Sequence, residues 1–71
     1  MDVYARLATK IRKLRNERQW SQEELAERTN LHRTYISHIE GGKRQISLET
    51  LCKVAKGFDV TASELIKDIN I

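Results

Sequence analysis

An all-α fold, a compact bundle of five short helices, is what three features of this 71-residue sequence predict. Apolar residues recur three or four apart along its length, the spacing of a helical stripe rather than of a strand. A Ser or Thr followed three residues later by Glu, a helix-opening pattern, occurs at Ser21 with Glu24 and at Thr61 with Glu64. There is no proline, and the three glycines stand where helices are expected to stop. A chain of this length makes one small domain with few core residues and no room for a deep active-site pocket.

Each helix follows from a local signal. Val3, Leu7, Ile11 and Leu14 predict the first, over residues 2–18. Ser21 caps the second, which turns Leu25 and Ala26 inward and stops near Thr29. The third begins after His32, buries Ile36 and Ile39, and ends at Gly41 and Gly42, since glycine readily takes the left-handed conformation. Ser47 caps the fourth, which carries Leu48, Leu51, Cys52, Val54 and Ala55 and is stopped by Gly57. Thr61 opens the fifth, over residues 61–69, with Leu65, Ile66 and Ile69.

The net charge is only +3, so its distribution carries the information. Residues 1–20 hold six Lys or Arg against two acids, and residues 32–46 hold three against one. The segments after them, 21–31 and 47–71, are net acidic. Two basic blocks brought together by folding would suit a polyanion. A single cysteine excludes an internal disulfide framework and points to a reducing compartment. The opening residues show no apolar run of signal-peptide length, and no stretch reaches a membrane span. The expectation is a soluble cytoplasmic protein, with no membrane association.

The second and third helices are joined by about three residues, so they must cross steeply, at about 90–120°. That joint needs a small residue where the helices pass, a position tolerant of positive φ, and branched apolar residues to fill the angle. Ala26, Asn30, Ile36 and Ile39 meet these needs, with Leu31 plugging the turn. With this joint, residues 22–40 resemble the helix-turn-helix of the Cro/repressor-type family of bacterial and phage regulators. The resemblance extends over nearly the whole chain, and the small size and the HRTYIS…E…R…SLE pattern are most similar to restriction–modification controller proteins. One departure is Asn30, where the family most often has glycine; asparagine is itself enriched at positive φ.

The resemblance implies that the third helix lies in the DNA major groove with its first residues at base edges. Arg33 and Thr34 hold those positions, flanked by Tyr35, Ser37 and His38. An arginine can donate twice to guanine, and a threonine offers a hydroxyl and a methyl to thymine. The Tyr35 ring could equally pack over the turn. Gln22 opens the second helix, where free N–H groups favour a phosphate, and resembles the family's phosphate-clamping glutamine. Lys43 and Arg44 are expected on the DNA backbone as well. Arg15 and Glu40 resemble the family's buried pair tying the first helix to the end of the third.

Enzyme chemistry has little support. His32 and His38 are six residues apart, unlike the i, i+4 pair of a helical metal site. Cys52, on an apolar helix face, reads as a small core residue. No glycine-rich phosphate loop or nucleophile–base set is present, so neither cofactor nor metal is expected. The function implied is a DNA-binding transcriptional regulator acting as a homodimer on a palindromic operator, with RNA polymerase a further candidate partner. Leu65, Ile66, Ile69 and Ile71 are the expected subunit contact, having little chain left to cover them. The competing expectation is a protein-interaction module, an antitoxin or anti-repressor, using Glu23 and Glu27 or the C-terminal isoleucines.

Overall fold

The computed structural model describes residues 2–43 and 46–69. They form α1 (Val3–Glu17), α2 (Gln22–Thr29), α3 (Arg33–Glu40), α4 (Leu48–Gly57) and α5 (Ala62–Ile66). No strand occurs among the described residues.

Every helix opens on a side chain that accepts an otherwise unpaired backbone N–H. Asp2, Ser21, His32, Ser47 and Thr61 do so for α1 to α5 in turn. The box at Thr61 closes both ways, Glu64 accepting from the Thr61 N–H at 3.0 Å. At Ser21 only the hydroxyl half forms, because the Glu24 carboxylate accepts instead from Arg28 Nε at 2.8 Å.

Helices α1 to α4 share one type of ending. A left-handed residue (Gln19, Asn30, Gly42 or Asp59) is followed by an N–H donated to the carbonyl five residues back. The bonds are Trp20 to Arg15, Leu31 to Ala26, Lys43 to His38 and Val60 to Ala55, at 3.0–3.4 Å. Only Gly42 is a glycine, and a Cβ there would also press on Ala5 Cα at 3.3 Å. Helix α4 ends at Gly57 as expected, although Gly57 is not itself left-handed and has a second role. It is the last residue of α4, and a Cβ on it would sit 2.6 Å from Thr29 Cγ2. Close passage of α2 over α4 requires it; the left-handed residue of the stop is Asp59.

The core joins Leu7 and Ile11 of α1 to Leu25, Ile36, Ile39, Val54, Phe58 and Leu65. Leu51, Val54 and Ala55 form the inward stripe of α4, continued by Phe58 just past its end. Cys52 falls outside that stripe and is exposed, which corrects the expectation of a core cysteine. Leu48 is 75% exposed. The fifth helix ends earlier than expected, at Ile66, and a turn closed by Ile69 N–H on Ile66 O at 2.9 Å returns Ile69 to the core.

Behind the α1–α2 corner, the Trp20 and Phe58 rings stack with centroids 5.6 Å apart. The Arg18 guanidinium lies over both rings and donates to Phe58 O at 3.1 Å. Arg18 therefore helps fix the corner that aims α2.

Candidate nucleic-acid interface

The turn between α2 and α3 takes three residues, each with its own task. Asn30 is left-handed, with φ 57° and ψ 38°. Leu31 packs against the core, and His32 Nδ1 accepts from the Thr34 N–H at 3.1 Å to start α3. With Leu25 and Ala26 buried beneath, α3 is held by Ile36, Ile39 and Glu40 on its inner side. Arg33, Thr34, Ser37 and His38, at i, i+1, i+4 and i+5, are exposed on the opposite side. Four of the five residues expected at base edges thus share one outward face. Tyr35 differs: it is half-buried and packs against the core, so part of its surface is committed to holding the turn.

The end of α3 is tied to α1 by the predicted pair. Arg15 Nε and Nη2 donate to Glu40 Oε2 and Oε1 at 2.7 and 2.9 Å, a two-pronged bond. Glu40 is 3% exposed, and the Arg15 side chain 16%. Hydrogen bonding to Glu40 raises the Arg15 pKa above its ordinary value despite burial, so the guanidinium stays charged. Arg15 Nη1 also donates to Trp20 O at 2.9 Å, and Arg12 donates to the Glu40 carbonyl. Arg12 was not legible as part of this site. Its only signal was its position one turn before Arg15 on the same side of α1.

Gln22, expected to meet a phosphate, is engaged within the protein. Its amide nitrogen donates to Glu40 Oε1 at 3.1 Å, and its amide oxygen accepts from Arg33 Nη1 at 3.2 Å. An amide nitrogen carries two hydrogens, so one remains for a phosphate. Lys43 is exposed just beyond Gly42, while Arg44 lies outside the described residues.

The subunit contact expected at the C-terminus divides. Leu65 is fully buried and closes the core under α4 and α5, so it is not available to a partner. Ile69 is half-buried against the same core, and Ile71 lies outside the described residues. Ile66 remains, 40% exposed. Leu48 is the other large exposed apolar side chain among the described residues. Those residues contain no cluster of three or more His, Cys, Asp or Glu able to hold a metal, and no helix long and apolar enough to cross a membrane.

Comparison with known proteins supplies the context for this geometry. A family model described as helix-turn-helix matches residues 11–65. The control protein C.MunI of a Mycoplasma species is 46% identical over 69 residues, covering 96% of this chain and 93% of that protein. The control protein C.SmaI of Serratia marcescens is 41% identical over 66 residues, covering 93% and 79%. The crystal structure of the wild-type restriction–modification controller C.Esp1396I matches with a TM-score of 0.85 at 33% identity, over 94% of this chain and 86% of that one. The tetramer of that controller in complex with its natural 35 base-pair operator matches with a TM-score of 0.84 at 36% identity, over 97% and 96%.

Proposed function

This chain belongs to the helix-turn-helix family, and from that premise we propose that it is a sequence-specific DNA-binding regulator of transcription, of the restriction–modification control type, binding a palindromic operator as a homodimer. The observation that carries this reading is the outward face of α3. Arg33, Thr34, Ser37 and His38 stand together on a helix whose other side is locked by Ile36, Ile39 and the Arg15–Glu40 pair. In the major groove Arg33 donates to a guanine edge and Thr34 meets a thymine. Gln22 and Lys43 flank the helix and hold phosphates, with Arg44 beside Lys43 in sequence.

Two-fold pairing doubles the contacts that one short helix can make. Ile66, with α5, is the subunit contact this proposal uses, and Leu48 is the second exposed apolar group available to it. In this reading RNA polymerase is the other macromolecule at the promoter, recruited or excluded according to where the operator lies.

The test is selection of a binding site from random duplexes, followed by affinity for that site and for a scrambled duplex. A regulator prefers its selected site by about a thousandfold or more. Equal affinity for both would overturn the reading and leave the protein-interaction module in its place.

A further inference from the structure

Three cations of α1 form a cluster that takes no part in holding α3. Arg6, Lys10 and Lys13 stand at i, i+4 and i+7, on one side of the helix. Arg15, which grips Glu40, is about two and a half turns beyond Arg6 and so on the opposite side. With Thr9, and with Asp68 and Ile69 from the turn after α5, the three cations line an open cavity of about 250 Å³. Against them the lining sets one carboxylate, Asp68, which is 3.7 Å from Lys10 and 78% exposed. Arg6 Nε is buried and has no hydrogen-bond partner among the described residues. A guanidinium can only donate, so a buried N–H of this kind loses water without compensation until it meets an acceptor. Such orphans are rare in folded proteins, and a bound ion is one of the few features that account for them.

We propose that this cavity binds a small organic anion, its carboxylate or phosphate head on Arg6 and its apolar body against Ile69 and the stems of Lys10 and Lys13. Nε and one Nη of an arginine present parallel N–H groups that match two oxygens of either head. Lys10 and Lys13 add charge at the rim, and their aliphatic stems lie along the wall beside Ile69. The net charge of the lining, three cations against one acid, favours an anion over a neutral or cationic ligand. The site lies away from the reading face of α3 and does not depend on the DNA-binding reading. It joins α1 to the turn behind Ile66, so an occupant braces the end of the molecule that the proposed dimer uses.

The test follows the Arg6 Nε–H signal by nitrogen NMR while benzoate, phenyl phosphate or inorganic phosphate replaces chloride at constant ionic strength. Benzoate or phenyl phosphate should move the signal along a curve that saturates, and the head group with the lower midpoint is the one the site takes. Inorganic phosphate should need about tenfold more, having no apolar body to bury. Arg6→Met, followed through neighbouring amide signals, should raise the midpoint by about tenfold or more. Lys13 is exposed and outside the core, so Lys13→Met keeps the test open should the Arg6 variant fail to fold. It should raise the midpoint by about two- to fivefold. A saturating shift that these substitutions leave unchanged is an adventitious ion only and overturns the site. So does a signal that drifts linearly with every anion, or one that ignores all three. Equal midpoints for inorganic and phenyl phosphate overturn the organic ligand.

Discussion

Glu40 accepts three side-chain hydrogen bonds at 3% exposure, two from Arg15 and one from Gln22. Removing one member of such a pair strands the other charge, so Arg15→Ala should cost about 3–5 kcal/mol. In a domain this small that amounts to a fall of roughly 12 °C or more in Tm, read by thermal unfolding; an unchanged Tm would contradict the burial of the pair. At the same scale, reading and clamping separate. Lys43 is exposed at the edge of the proposed interface, so Lys43→Ala should weaken binding to all duplexes alike and lower the salt slope by about 0.9. Loss confined to one sequence would make Lys43 a reader. Arg15 and Glu40 were legible as a pair through family resemblance. The link from Glu40 through Gln22 to Arg33 was not, because residues 18 and 11 positions apart leave no periodic trace of their contact.

Among the elements, the α2–α3 turn and α5 make the clearest demands on their residues. Asn30 holds φ 57° at the point where α2 ends and the chain turns toward α3. A β-branched residue pays about 1–2 kcal/mol in that conformation, so Asn30→Val should destabilise by that amount in urea unfolding and weaken operator binding as α3 loses its aim. Full stability in that variant would mean the turn tolerates another path. At α5, the Thr61 backbone N–H holds the Glu64 carboxyl below the usual carboxylate range, assisted by the Thr61 hydroxyl. A lowered folded pKa means that this stabilisation is complete above the unfolded value and disappears as pH falls through the folded one. An NMR titration of Glu64 should show a depressed midpoint, and Thr61→Ala should move it upward; an ordinary midpoint in the wild type would remove the box. Most helix starts were readable because capping uses neighbours in sequence. The stops were less so: among the described left-handed residues Asn30 and Gly42 advertised themselves, while Gln19 and Asp59 did not.

At the level of the whole molecule, the Cα radius of gyration of 10.8 Å is close to the roughly 11 Å of a folded chain this long. One core therefore serves all five helices, and any partner must use what that core leaves outside. Ile66 is 40% exposed beside a fully buried Leu65. Ile66→Glu should give monomers in sedimentation, with lost operator affinity and unchanged helicity. A wild type that is monomeric at tens of micromolar and remains so on its operator would defeat the dimer. The division of the apolar residues of this segment between core and surface was half legible, since such side chains serve a core and an interface alike. Which of them is taken depends on where α4 passes, and the sequence of α5 does not contain that.

What the sequence by itself determined is everything that depends on near neighbours. The five helices, the caps at Ser21, Ser47 and Thr61, the three-residue joint, and the outward placing of Arg33 and Thr34 all follow from spacing and local chemistry. Only the tertiary structure decided that Leu65 is core, that Cys52 and Leu48 are surface, and that Gly57 serves a helix crossing. It also decided that Glu40 reaches Arg33 through Gln22. Burial and long-range hydrogen bonds depend on which helices meet and at what angle. A residue's own periodicity marks the side on which it lies, while the neighbouring helix determines whether that side is covered.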